Sequence, residues 1–106
     1  MARDDAEELF KALSDPTRRR ILDELTHKDG QTLFEICSRL ANKYQLGSTR
    51  QAISQHLEVL EATNLITTHR DGKYKFHYVN TNPLKSLLGR WLEPDNKERK
   101  NEDSPG

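Results

Sequence analysis

Arg50, Gln51, Ser54 and Gln55 recur at helical spacing along one side of a segment whose other side carries Ile53, Leu57 and Leu60. A guanidinium, two amides and a hydroxyl grouped in this way, with no carboxylate before Glu58, make a donor and acceptor set that matches base-pair edges. Arginine pairs bidentately with guanine, glutamine with adenine, and serine or threonine with bases or phosphates. The segment is expected to be a helix over residues 48–63, opened by a capping box between Ser48 and Gln51. Ser48 and Thr49 would then bond phosphate or cap the helix. His56, three after Ile53 and four before Leu60, falls at the edge of the apolar stripe, as either a structural histidine or a phosphate donor. An ordinary surface helix with a mixed polar face accounts for the helix alone equally well.

The residues that follow add cations. Leu65 and Ile66 begin a strand, Asp71-Gly72 is a two-residue turn signal of the I′ type, and residues 73–79 return as a second strand. That turn would set Arg70 opposite Lys73, His69 opposite Tyr74 and Thr68 opposite Lys75. Pleat alternation then puts Tyr74, Phe76 and Tyr78 on one face, expected inside, and Lys73, Lys75 and His77 with Arg70 on the other, expected outside. Like charges packed at one hairpin tip destabilise it. Arg70, Lys73 and Lys75 are therefore most simply matched by an anionic partner such as a phosphate backbone, although solvation with help from Asp71 is the plainer alternative.

The other elements are marked by their ends. Ala6, Leu9, Phe10 and Leu13 stripe a first helix, and Asp15-Pro16 caps a second that runs through Leu25. Asp29-Gly30 breaks it. Thr32 with Glu35 is a capping box for a third helix whose Leu33, Ile36 and Leu40 face inward, and Asn82-Pro83 opens a closing helix lined by Leu84, Leu87, Leu88, Trp91 and Leu92. The terminal stripes are a large apolar load for a chain that is 33% hydrophobic, so either a second subunit covers them or the closing helix folds back on its own domain.

These segments, in this order and spacing, resemble the winged helix-turn-helix repressors of the ArsR family. Leu9-Phe10-Lys11-Ala12-Leu13-Ser14-Asp15-Pro16-Thr17-Arg18 and Ile21-Leu22-Asp23-Glu24-Leu25 are similar to that family's opening signature, Ser54-Gln55-His56-Leu57 with Leu60 to its recognition helix, and Asp71-Gly72-Lys73 with Tyr78 to its wing. The resemblance covers residues 9–91. It implies a mainly α fold with a small β-hairpin, five helices plus a two-stranded wing. It also implies a sequence-specific regulator, here expected to be a repressor, that reads double-stranded DNA through Ser48, Thr49, Arg50, Gln51, Ser54, Gln55 and His56, with Arg70, Lys73 and Lys75 on the backbone or minor groove. The family dimerises through its first and last helices, which implies a homodimer seam at Leu9, Phe10, Leu84, Leu87, Leu88 and Trp91, and two reading helices about 34 Å apart on a pseudo-palindromic operator. Two departures stand out. Asn64 replaces the glycine usual after the reading helix, and residues 42–47 make a longer turn than the minimal three or four residues.

Many relatives hold a metal with paired cysteines, but Cys37 is this chain's one cysteine, and residues 82–92 contain no histidine or carboxylate. No metal and no cofactor are therefore expected. Cys37 could act instead as a redox sensor, or fill the core as a small hydrophobe. A winged-helix module that docks protein is the rival from another class, and exposed apolar groups on the reading face would favour it. No nucleophile with a base and no phosphate-cradling glycine loop is present, so an enzyme is not expected.

Composition fits one small domain, with residues 1–93 folded and residues 94–106, polar and bracketed by prolines, expected to be a disordered tail. No apolar run spans a membrane and no signal peptide is recognisable, so a cytoplasmic protein is expected. Lys and Arg total 17 and Asp and Glu total 17, and the acids crowd the first part of the chain. A neutral chain with a locally basic reading segment should bind through specific contacts more than bulk attraction.

Overall fold

Capping chemistry decides where the helices begin. The computed structural model describes residues 5–45 and 47–92. Helix α1 spans Asp5–Ser14 and α2 spans Pro16–His27. Asp15 accepts from the Thr17 amide at 2.8 Å and the Arg18 amide at 3.2 Å, ahead of proline at the first helical position. Burial alone would raise its carboxyl pKa, but the amides of Arg18 and Thr17, with the His56 imidazole and the Arg18 guanidinium nearby, hold it below the ordinary value.

Helix α3, Leu33–Tyr44, opens with the expected box: the Glu35 amide donates to Thr32 and the Thr32 amide to Glu35, at 3.2 and 2.9 Å. Helix α4 spans Arg50–Ala62 and starts later than expected. Its cap is Thr49, whose hydroxyl accepts from the Ala52 amide at 3.0 Å, so the Ser48–Gln51 box does not form and Ser48 lies ahead of the helix. Gln45, at φ 53°, ends α3. The connection between the two helices is thus shorter than residues 42–47 suggested at its start and longer at its end. Asn64 takes φ 64°, the left-handed backbone that makes it a workable substitute for glycine after α4. Helix α5, Asn82–Leu92, includes Asn82 as its first residue, and Asn80 accepts from that residue's amide.

Strands β1, Ile66–Asp71, and β2, Tyr74–Val79, pair antiparallel, with Asp71 opposite Tyr74, Arg70 opposite Lys75 and His69 opposite Phe76. The turn residues are therefore Gly72 and Lys73 rather than Asp71 and Gly72. Only Gly72 has positive φ, at 64°, whereas a I′ turn needs it at both central positions; glycine first is the II′ pattern.

The hairpin's inner and outer faces are the reverse of the expectation. Leu65 and Ile66 are fully buried where the chain leaves α4. Because Ile66 points in, alternation carries Thr68, and across the ladder Val79, His77 and Lys75, to the same side. Tyr74 is 56% exposed and Phe76 and Tyr78 are half-buried on the other side. Polar partners make this arrangement affordable in free energy: Glu61 of α4 accepts from Thr68 at 3.1 Å and pairs with Lys75 at 3.4 Å.

A third rung, absent from the sequence reading, ties the wing to the α2–α3 loop. Gln31 and His77 exchange both backbone bonds, at 3.2 and 2.8 Å. The Gln31 side chain donates to the carbonyls of Lys28 and Glu24. Beside it, Gly30 sits at φ 74°, and a Cβ there would lie 2.9 Å from the Tyr78 ring, so any other residue would strain the backbone and push that ring aside. Around these ties the core gathers Ala6, Leu9, Ala12, Ile21, Leu25, Ile36, Leu40, Ile53, Leu57, Leu60 and Leu87. Each fully buried Leu or Ile is worth roughly 1.5–3 kcal/mol, which locks α4 by its apolar stripe and leaves its other side free.

The polar tail expected over residues 94–106 lies outside the described residues.

Candidate nucleic-acid interface

Packing of Ile53, Leu57 and Leu60 turns Arg50, Gln51 and Gln55 outward, all exposed, with Ser54 half-buried beside them. They occupy the first two turns of α4, where the helix's unpaired amides and positive dipole end also favour an anion. Neither turn contains an acid. Ser48 is exposed, and Thr49 is committed to its cap.

At the wing, Arg70 and Lys73 are exposed near the tip. Lys75 departs from the expectation: it is drawn back toward Glu61, so among the described residues Arg70 and Lys73 rather than all three cations stand without an acidic partner at the tip. Between α4 and the wing runs a groove of about 360 Å³, lined in part by Arg50, Ser54, Glu58, Lys73, Tyr74 and Phe34. Phe34, at the start of α3, is 65% exposed and was not anticipated on this side.

His56 is not free. Its Nδ1 lies 3.1 Å from Arg18 Nη1, and a guanidinium can only donate, so the imidazole accepts there. The pairing of Arg18 with α4 was not expected from the sequence. The available signal was its place three residues after an N-cap, where a long side chain reaches back over the end of the preceding helix.

His77 is buried, and its Nδ1 meets the Gln31 carbonyl at 2.8 Å, which fixes the proton on Nδ1. Burial lowers its pKa from 6.5, outweighing the Gln31 hydrogen bond, which acts to raise it; Lys75 lowers it further and Glu61 offsets part of that. An unfolded chain therefore takes up this proton before the folded one does. Stability from His77 is complete above pH 6.5 and is lost as pH falls through the folded value. Urea midpoints should drop between pH 7.5 and 5.5, and His77→Gln should flatten that drop; equal slopes in the two proteins would contradict it.

Cys37 is half-buried, and burial pushes its thiol up, with Arg50 opposing in part. That disfavours the thiolate a redox sensor needs. Among the described residues no three His, Cys, Asp or Glu side chains gather within reach of one ion, and no helix is long and apolar enough to cross a membrane.

The terminal helices meet. Leu9 and Leu87 are buried within the chain's own core and Leu84 is half-buried. Phe10 and Trp91 stack with centroids 6.4 Å apart and rings 5° from parallel, yet each is about half exposed, next to exposed Leu88 and Leu92.

Two helices, a buried second-helix stripe and a hairpin packed on its end define a winged helix-turn-helix. A profile described as a helix-turn-helix domain matches residues 13–69. The chain is 53% identical over 85 residues to the HTH-type transcriptional regulator YuzN of Bacillus subtilis, spanning 80% of this chain and 92% of that protein. It is 35% identical over 89 residues to the transcriptional repressor SdpR of the same organism, spanning 84% and 91%. Among solved structures, an ArsR-like transcriptional regulator from Rhodococcus sp. RHA1 aligns with a TM-score of 0.65 at 32% identity, over 92% of this chain and 85% of that one. The chain belongs to the ArsR family of winged helix-turn-helix transcriptional regulators. Such proteins are regulators with a DNA-binding domain, not enzymes.

Proposed function

We propose that this chain is a cytoplasmic, dimeric repressor that occupies a pseudo-palindromic operator without a metal or cofactor, α4 entering the major groove and the wing touching the backbone or minor groove. The observation that carries this reading is the exposed, acid-free first half of α4 beside the exposed cations of the wing tip. Arg50 and Gln51 meet bases, Ser54 and Gln55 extend the contact by a turn, and Arg70 and Lys73 bind phosphate. Ser48 and Thr49 lie at the helix start, where phosphate approaches. The assignment as a repressor is supported by the likeness to SdpR. The dimer seam is supported by the half-exposed Phe10 and Trp91 pair with Leu88.

Selection of bound sequences from random duplexes tests the reading. Arg50→Ala should relax preference at one base pair by about 1–3 kcal/mol. Lys73→Ala should weaken all sequences alike and lower the slope of affinity against salt by about one ion. Failure of the intact protein to enrich any motif would overturn the proposal. One observation favours a second reading, a protein-docking module: Phe34 and Tyr74, 65% and 56% exposed, flank the groove beside Arg50. Under that reading Phe34→Ala and Tyr74→Ala would abolish partner binding, and random duplexes would yield nothing.

A further inference from the structure

The end of α1 is held by side chains of α2 rather than by a glycine cap. Arg18 Nε donates to the Ala12 carbonyl at 2.8 Å and Nη2 to the Lys11 carbonyl at 3.2 Å, while Arg19 Nη1 donates to the Leu13 carbonyl at 2.6 Å. These are the carbonyls that a helix leaves unpaired at its C-terminus, and a cation there also meets the negative end of the helix dipole. The remaining arm of Arg18, Nη1, reaches His56 Nδ1 on α4 at 3.1 Å. One half-buried guanidinium therefore bonds two carbonyls of α1 and one imidazole of α4.

His56 is set between two residues of different fate. Gln55 points out on the reading face and Leu57 is in the core. Through Phe10, α1 also carries the ring stacked on Trp91 of α5. The bonds of Arg18 thus connect the face formed by the terminal helices to the helix with the exposed polar side. A planar guanidinium with directed donors defines distance and angle together, which an ammonium cannot do.

We propose that Arg18 is a positioning residue for DNA recognition, setting the attitude of α4 relative to α1 through the His56 imidazole. This rests on the reading of α4 as the helix that enters the groove. Arg18 itself touches no base; it acts by keeping Arg50, Gln51 and Gln55 at the angle from which they reach base edges. Because Arg18 only donates, His56 accepts at Nδ1 and holds its own proton at Nε2.

Two measurements test the assignment. In the free protein, nitrogen NMR should find neutral His56 in the Nε2–H form with its Nδ1 resonance displaced by the hydrogen bond accepted from Arg18, and Arg18→Met should return that resonance to the free-imidazole position. On an operator selected by the intact protein, Arg18→Met and His56→Leu should each cost about tenfold in affinity, and the double variant should cost no more than either alone, since both remove one link. His56→Asn, whose side-chain oxygen can stand near the Nδ1 position, should restore affinity to within about threefold. Should Arg18→Met fail to fold, Arg18→Lys provides the same comparison, with a similar loss expected because an ammonium cannot span the three acceptors. Additive losses, full affinity in the single variants, or an Nδ1–H imidazole would each overturn the proposal while leaving the groove reading intact. Absence of any motif with the intact protein would instead remove the groove reading and this proposal with it.

Discussion

Trp91→Glu is expected to convert the protein to monomers and to weaken binding to a two-half-site operator by about 10²–10⁴-fold, the range lost when two linked contacts become one. Half-site binding should be nearly unchanged. The terminal helices bury only part of their apolar load within the chain. Leu9 and Leu87 satisfy the chain's own core, whereas among the described residues Phe10, Leu88, Trp91 and Leu92 keep between 43% and 66% of their surface exposed. Aromatic rings each bring roughly 150–250 Å² to a contact and dominate the energy of interfaces. Around a two-fold axis, one substitution would place two carboxylates in the seam, each desolvated without a partner. Arg90, whose guanidinium lies 5.3 Å from the Trp91 ring centre, is exposed and would remain solvated. Sedimentation at micromolar concentration and titration with full and half operators separate the two effects. A variant that sediments as the unmodified protein does would show that the patch is ordinary surface.

The helices were legible in the sequence because their ends are chemical. Asp15-Pro16 and Thr32 with Glu35 each have a donor problem that the adjacent side chain solves, and both stand where they were expected. At α4 two hydroxyls compete: Ser48 and Thr49 are adjacent, and a rule based on spacing cannot say which one turns toward the amides. The hairpin was legible as a pattern but not as an orientation. Alternation sorts residues into two sets, and aromatic bulk suggested which set is inside, yet the decision belongs to long-range partners. Glu61 on α4 and the backbone of Gln31 make Lys75 and His77 tolerable on the inner face, and nothing near those residues in sequence announces it. The site follows the same division. The outward placement of Arg50, Gln51 and Gln55 was readable from one helix's periodicity, whereas the link from Arg18 to His56 spans 38 positions and arises only when α2 packs against α4.

Glu24 and Lys43 should respond to substitution to different degrees, although they form one ion pair. Glu24 is 1% exposed on α2, with Lys43 Nζ 2.8 Å from Oε2 and Arg39 Nη1 3.6 Å from Oε1. Neither approach is aligned as a hydrogen bond, so the carboxylate gains attraction without recovering the directed bonds it had in water. Removing Lys43 strands that carboxylate. The full penalty for a buried partner is about 3–5 kcal/mol, but Arg39 remains and the Lys43 side chain is 44% exposed and screened, so Lys43→Ala should cost roughly 1–3 kcal/mol. Glu24→Met fills the same volume with apolar atoms and frees two cations that can turn to solvent; its stability should fall within about 1 kcal/mol of the unmodified protein, or exceed it. Denaturant unfolding of the two variants distinguishes these outcomes, and a loss in Glu24→Met as large as in Lys43→Ala would mean the pair is a net stabiliser. If Glu24→Met is as stable as expected but less selective on an operator, the pair acts by orientation, since it ties α2 to the last turn of α3, immediately before the connection that sets the entry of α4.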